Sequence, residues 1–481
     1  MKYDSPLRVL LLLQRPEAWV NLASLWSALA DPEMFRPEIW ILPYQIDNPI
    51  LSNEKAGLMR ALLGQAGIPF HEWSAGQVLS KGQFDVVVLN HPYDRDRPRD
   101  FWFDQLQRLV PVTVYIPYGL VMAGGIKNLK LQFSQPTQIN ATAVVARSEL
   151  ERGLYRSNCP SGDGHVHVVG LPRFDYMLQA LARPIPEWMS SAIGGRTAVL
   201  WNSHFSFGMS CSHGANFSTF DLIGPELLEL MLERRERLCL IWRPHPGLFP
   251  AILRENLLDS ADLLELRQEL QRLGIVLDET ADHAAAFSAS AALLTDVGSF
   301  LLEYLITGKP VLALINRDGE PFNEESAKLV KHYASASTPA EVERFIDQLE
   351  DGSVDVAAVS RAQAEHLPML DGQAGRRVAG LIQKLCGRSV KASAPQESQC
   401  HVNVPSSRVE NMRAVGVEER GAPVLTKLLA GLRAVRAEKA KQSVFAKRLR
   451  RRVNASRTVI SELVKGFPLL MDLAGRLRGL K

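Results

Sequence analysis

The sequence predicts an α/β protein of two Rossmann-like domains that face each other across a cleft, followed by a basic helical tail. Three observations predict it. Short runs that are apolar on both faces alternate with amphipathic stretches, the pattern of parallel sheets covered by helices on each side. The alternation breaks once, at the proline-bearing Arg183–Glu187, and then resumes. The charge is also divided: from Gly421 to Lys481 there are 15 Lys and Arg against 3 Asp and Glu, a local charge of +12. With an overall net charge of +3, the first 420 residues carry −9.

In the first half the strand candidates are Val9–Leu13, Ile39–Leu42, Asp85–Leu89, Val112–Ile116, Ala143–Ala146 and Val166–Val169, with helical patterns at Trp19–Leu29 and Lys55–Ala66. These define an N-terminal Rossmann-like domain over 1–182. The second series has strands at Ala198–Trp201, Leu238–Trp242, Ile275–Leu277, Ala292–Thr295 and Val311–Leu314. Helical patterns at Pro225–Arg235, Ala261–Leu273, Phe300–Thr307 and Ala340–Glu350 separate them, which defines a second, C-terminal domain over 188–387. Residues 388–420 are polar and pattern-poor, as in a linker. The tail over 421–481 carries leucines at helical spacing (Leu425, Leu428, Leu429, Leu432) beside the dense basic run Lys447–Arg452.

The length of 481 residues exceeds what one core serves. No run of 18 apolar residues occurs, which predicts no transmembrane helix, and the short apolar Val9–Leu13 suits a buried strand better than a secretory leader. Five scattered cysteines (Cys159, Cys211, Cys239, Cys386, Cys400) form no C-x-x-C pair. They fit a reducing cytoplasm rather than a disulfide or cysteine-zinc framework.

In open parallel sheets ligands sit beyond the carboxyl ends of strands, so motifs there carry the chemistry. Thr295 and Asp296 end a strand, Gly298 and Ser299 form a tight turn, and a helix opens at Phe300, with Lys309 before the next strand. Such a turn offers free N–H groups to an anion, with Ser299 placed to cap the helix. Arg243 and His245, in Arg243-Pro244-His245-Pro246, end another strand and suit phosphate binding and proton transfer. Arg173 and Asp175 follow a strand near the domain join, where they either line the cleft or pair locally. Tyr93 and Asp94, also at a strand end, are candidates for acceptor contact. Asp94 and Asp96 form a D-x-D among arginines, better read as a self-paired loop than as a metal site. No metal or cofactor is expected.

Arg243-Pro244-His245-Pro246, the G-x-P-R-x-D run at 170–175, the T-D-x-x-S-x-x-x-E block at 295–303 with G-K-P at 308–310, and H-L-P-M-L-D-G at 366–372 together resemble the CDP-glycerol glycerophosphotransferase family, over residues 110–385. The resemblance implies a GT-B fold, a CDP-linked donor, a lipid-linked or polymer acceptor of the teichoic-acid kind, and a peripheral position on the inner face of the cell membrane. It also implies the acceptor on the N-terminal domain and the nucleotide donor on the C-terminal one. Carried over, Arg243 and His245 contact the donor phosphates, with His245 acting on the leaving group. Thr295, Asp296 and Ser299 hold the pyrophosphate, and Glu303 replaces the family's aspartate. Two departures mark a divergent branch. Tyr118 stands where the family has a histidine, and Trp201-Asn202-Ser203-His204 replaces its threonine- and arginine-bearing strand end, making His204 the candidate substitute base. The tail, amphipathic and basic, is expected on an anionic membrane and lacks the aromatic interleaving of nucleic-acid binders. The alternatives are a glycosyltransferase using a nucleotide-diphosphate sugar and a non-catalytic nucleotide-binding scaffold.

Overall fold

The computed structural model describes residues 5–44, 49–208, 216–280, 282–388 and 422–442. Among these residues, thirteen strands fall into two wholly parallel sheets. The first contains β1 (Leu7–Leu13), β2 (Phe35–Ile41), β3 (His71–Glu72), β4 (Val86–Leu89), β5 (Val112–Tyr115), β6 (Ala143–Ala146) and β7 (Val166–Val168), in the order β3-β2-β1-β4-β5-β6-β7. The second contains β8 (Thr197–Asn202), β9 (Leu238–Trp242), β10 (Val276–Leu277), β11 (Ala292–Thr295), β12 (Val311–Leu314) and β13 (Ala334–Ala336), in the order β10-β9-β8-β11-β12-β13. β1 lies between β2 (Leu7 opposite Phe35) and β4 (Val9 opposite Val86). β8 lies between β9 (Thr197 opposite Leu238) and β11 (Val199 opposite Ala292).

Helices on both faces explain the continuous apolar runs: β4, β5, β6, β9, β11 and β12 are buried at every residue. The two strands that the apolar pattern does not announce, β3 and β13, are edge strands of two and three residues with mostly exposed side chains. The helical pattern at Trp19–Leu29 divides into a 3-10 turn, Pro16–Asn21, and a helix, Ala23–Ala28.

The chain passes between sheets through Arg183–Glu187, but the boundary drawn at 387 needs correction. The helix Ala374–Leu385 returns to the first half, burying Val378, Leu381 and Ile382. Gly375 meets the Ala23–Ala28 helix so closely that a Cβ there would stand 2.4 Å from the Ser24 backbone. Asp175 fixes this return. Its carboxylate accepts from the N–H groups of Ala374 (3.1 Å) and Gly375 (2.8 Å), a side-chain cap on an otherwise open helix start. Asp175 is therefore a buried fastener and not a cleft-lining group.

The two halves also meet along residues 121–124 and 321–326. The Gly124 N–H donates to the Pro321 carbonyl at 2.7 Å and the Asn323 N–H to the Met122 carbonyl at 3.1 Å. Arg147, after β6, pairs with Glu151 and reaches across to Glu325.

Residues 423–442 are helical, and the expected leucine stripe corrects the membrane reading for this part of the tail. Val424, Leu425, Leu428, Leu429 and Leu432 are buried in the core of the second half, against Leu227, Leu228 and Leu257. Glu269 caps the helix start through the N–H groups of Val424 and Leu425. Lys427, Arg433, Arg436 and Lys439 pair with Asp262, Glu229, Glu226 and Asp221. These leucines are not available to an acyl boundary. The linker, Lys447–Arg452 and the later leucines lie outside the described residues. Among the described residues, no helix is long and apolar enough to cross a membrane.

Candidate active site

The carboxyl end of the second sheet places His204 after β8, His245 after β9 and the Asp296–Ser299 turn after β11. The two imidazole rings lie 5.2 Å apart. His204 stacks on Phe205 at 4.4 Å, and His245 packs on the same ring at 4.6 Å while staying open to solvent on one side. Their hydrogen bonds set their tautomers. Nδ1 of His204 accepts from the Ser206 N–H at 3.2 Å and lies 2.7 Å from the Ser206 hydroxyl, whose oxygen accepts from the Phe217 N–H. Nδ1 of His245 accepts from the Gly247 N–H at 3.0 Å. In both neutral rings the proton therefore sits on Nε2, which makes each a donor. Burial, with the neighbouring His245, lowers His204 to a pKa of about 3, and desolvation lowers His245 to about 4. A ring with its lone pair engaged and so low a pKa is a poor proton acceptor, so the expectation of His204 as substitute base is corrected: it is built to donate.

Most of the other residues expected to hold phosphate are committed to the protein. Arg243 Nη1 donates to Asp278 (2.6 Å) and Thr280 (3.2 Å), and Nη2 donates to the Thr280 carbonyl (2.7 Å). Lys309 Nζ caps three carbonyls, those of Phe287, Ser288 and Ser290, at 2.7 to 2.9 Å. Thr295, wholly buried, bonds Asn202. Asp296 accepts from the His204 and Thr219 N–H groups and from the hydroxyls of Ser218 and Thr219, pinning the loops beside the turn. Burial outweighs these bonds and raises its pKa to about 6.

Ser299 adopts a helical conformation and makes no side-chain cap, and the helix it precedes, Phe300–Glu303, passes directly into a 3-10 turn, Tyr304–Thr307. The turn itself is open: a Cβ on Gly298 would meet nothing nearer than 3.9 Å. The fold does not require glycine there, which leaves room above the turn.

Glu303 is a fastener as well. Arg173 Nη1 donates to one carboxylate oxygen at 2.8 Å, and His283 Nε2 stands 2.9 Å from the other. Although burial pushes the carboxyl up, Arg173 and His283 hold it at about 2. Arg173 also donates through Nε to Asn21 and through Nη2 to the Tyr118 carbonyl at 2.6 Å. One guanidinium thus ties the Tyr118 segment of the first half to the turn region of the second. Both cleft candidates, Arg173 and Asp175, join the halves.

On the first sheet the carboxyl edge is an aromatic wall around a cation. The Arg15 guanidinium lies over the rings of Tyr118 (4.8 Å) and Tyr44 (5.2 Å) and forms no ion pair among the described residues. His91 packs against Tyr44, Tyr93 and Tyr118 at 5.0 to 5.6 Å. Its Nε2 bonds Asp96 at 2.9 Å while its Nδ1 is buried without a partner among the described residues. Desolvation lowers its pKa to about 4. The hydroxyls of Tyr93 and Tyr118 meet at 3.4 Å, and burial raises the Tyr93 phenol. Asp94 accepts from Arg97 and from the Phe103 N–H. Beside them a cavity of about 510 Å³ is lined by Tyr93, Asp94, Arg95, Arg99 and Trp102.

Arg15, Tyr44 and His91 escaped the sequence reading. A signal existed: a proline follows each of these strand ends, in Arg15-Pro16, Pro43-Tyr44, His91-Pro92 and Pro117-Tyr118, as it does after Arg243 and His245.

No family model matches the chain, and no curated protein matches it. Solved structures resemble it in fold. The S. aureus MnaA–UDP co-structure is 14% identical with a TM-score of 0.53, covering 81% of this chain and 99% of that one. A putative UDP-N-acetylglucosamine 2-epimerase from Listeria monocytogenes is 15% identical with a TM-score of 0.53, covering 80% and 98%. The wall teichoic acid polymerase TagF is 11% identical with a TM-score of 0.50, covering 80% and 90%. The shared architecture is the two-domain GT-B fold.

Proposed function

We propose that the protein is a transferase that moves a polyol-phosphate group from a CDP-activated donor to a hydroxyl of a lipid-linked or polymer acceptor in cell-surface polymer synthesis. The observation that carries this reading is the pair of neutral imidazoles, His204 and His245, with Nε2–H groups unspent on described protein acceptors beside the open Gly298 turn. Hydrogen-bond donors aimed at a developing phosphate charge are the main requirement of phosphoryl transfer, whose loose transition state asks for positioning and charge stabilisation rather than a strong base. In this mechanism the donor pyrophosphate lies over the turn's N–H groups, His245 and His204 donate to its oxygens, and CMP leaves. The acceptor hydroxyl, brought in along the Arg15–Tyr118 wall, attacks the β-phosphorus as its bond to the CMP oxygen breaks, and the hydroxyl proton passes to solvent or to the departing phosphate. Such a reaction does not require a strong base at the acceptor. Arg173, by tying both halves together, sets the distance between acceptor and donor.

A second reading has its own support: two of the neighbours are named for UDP or a UDP-sugar, which favours a sugar transferred from a nucleotide diphosphate. Incubation with a panel of CDP-polyols and nucleotide-diphosphate sugars separates the readings by the nucleotide released, CMP for the first and the nucleoside diphosphate for the second. Nucleotide binding without turnover of any donor leaves the scaffold reading.

The lipid-linked acceptor places the protein at the inner face of the cell membrane, with Lys447–Arg452 as the anionic-surface contact. Sedimentation with anionic liposomes should require residues 443–481 and weaken as salt rises. Equal pelleting of the full chain and of one ending at Gln442 refutes the tail's role.

A further inference from the structure

We infer that His332, Glu365 and His366 form a binding site for one divalent cation of the zinc class, separate from the His204–His245 pair. One ring nitrogen of each histidine and one carboxylate oxygen of Glu365 lie within 4.8 Å of one another. His332 Nε2 and Glu365 Oε2 are 3.3 Å apart. Ligands about 2.0–2.1 Å from a tetrahedral zinc ion stand roughly 3.3 Å from each other, so this pair already has the required separation, and the third ligand, within 4.8 Å of both, needs at most a small closing movement.

His366 supplies the second, independent observation. Its side chain is wholly buried, and its Nε2 has no partner among the described residues. A buried, unpaired imidazole nitrogen carries a desolvation cost unless something binds it. Its Nδ1 lies 3.3 Å from Glu325 Oε1, the carboxylate that Arg147 also engages. A carboxylate behind Nδ1 fixes the proton there and turns the Nε2 lone pair outward, the outer-shell arrangement of metal-binding histidines.

Two imidazoles and one carboxylate, with a fourth position left for water, suit a borderline cation and not magnesium or calcium, which take oxygen donors. The site is reachable: the side chains of His332 and Glu365 are 24% and 44% exposed. The ligands come from the segment before β13 and from the last two residues of the helix Ala357–His366, immediately before the chain returns to the first half. A bound ion would therefore fix the start of that return. A reading of zinc from cysteines alone overlooks this set, because its members are 33 residues apart in the chain.

The test uses the full chain freed of metal by chelator and dialysis, titrated with Zn²⁺ and Co²⁺. We expect one equivalent bound, visible absorption bands of tetrahedral cobalt, and a melting temperature raised by saturating Zn²⁺. His332→Ala and the milder Glu365→Gln, both at partly exposed positions, should match wild type in far-UV circular dichroism in chelator and weaken Zn²⁺ binding at least tenfold. Absence of stoichiometric binding by wild type, or equal binding by wild type and both variants, overturns the site. Either result leaves the transferase reading untouched, since neither residue touches the cleft histidines.

Discussion

At the carboxyl edge of the second sheet, Arg243, Thr295, Asp296, Glu303 and Lys309 hold protein partners, whereas the two histidines and the glycine turn remain open among the described residues. At the edge of the first sheet the order is reversed: Arg15 lies over tyrosine faces and, among the described residues, forms no ion pair, and His91 keeps one nitrogen without a partner among them. The difference teaches that one motif can do two jobs. Charged motif residues on the second sheet build the rigid frame, and the groups left for ligand are neutral donors. The first sheet contributes a cation that lies over aromatic faces and close enough to Asp96 to help lower its pKa, with no direct ion pair among the described residues.

The comparison breaks most visibly at the frame. Glu303→Ala leaves Arg173 buried without its carboxylate and should destabilise the protein by about 3–5 kcal/mol in denaturant unfolding. The acid side supplies a second check. The folded pKa of Glu303, about 2, lies below its ordinary 4.5. Its contribution is therefore complete above about pH 4.5 and lost as pH falls toward 2. Glu303→Gln should flatten that part of the stability–pH curve. A variant as stable as wild type would remove Glu303 from the frame.

His245→Ala is expected to lower turnover by about 10²–10⁴ with an unchanged melting temperature, since the ring is exposed on one side. Turnover close to wild type would shift the donor role to His204 alone.

Arg15→Ala should raise the acceptor KM by about tenfold to a hundredfold, the equivalent of about 1.4–2.8 kcal/mol, while nucleotide affinity measured by calorimetry stays constant. Loss of nucleotide affinity instead would place the cation on the donor side.

The smallest effect on the fold belongs to Gly298→Ala. Its Cβ has open space, so stability should change by less than about 0.5–1 kcal/mol, whereas nucleotide binding should weaken if phosphates sit on the turn. Unchanged nucleotide affinity would move the phosphates elsewhere.

Eleven of the strands follow from their apolar runs, because a strand buried on both faces has no choice of residue type. β3 and β13 escape that logic: at a sheet edge, backbone pairing alone suffices to make a strand. That the helix Ala374–Leu385 belongs with the first half could not be read from sequence, because its destination depends on the Asp175 cap and on the close fit at Gly375. Gly298, His204 and His245 could be placed from sequence, since a strand end fixes where a residue goes. Whether Arg243 or Lys309 is free for a ligand could not, because Asp278 and the Phe287–Ser290 carbonyls that engage them are set by how loops close over the sheet.

The sequence by itself determined the two parallel sheets, the strand ends that face the cleft and the basic tail, because periodicity and charge are local properties of the chain. The tertiary structure alone decided which polar groups are spoken for. It turned Glu303, Arg173 and Asp175 into ties between halves, fixed both histidines as donors through Ser206 and Gly247, and buried the leucine stripe at 425–432. Those outcomes depend on partners 2 to 200 residues distant, and a hydrogen bond is decided by what lies within reach in space and not along the chain.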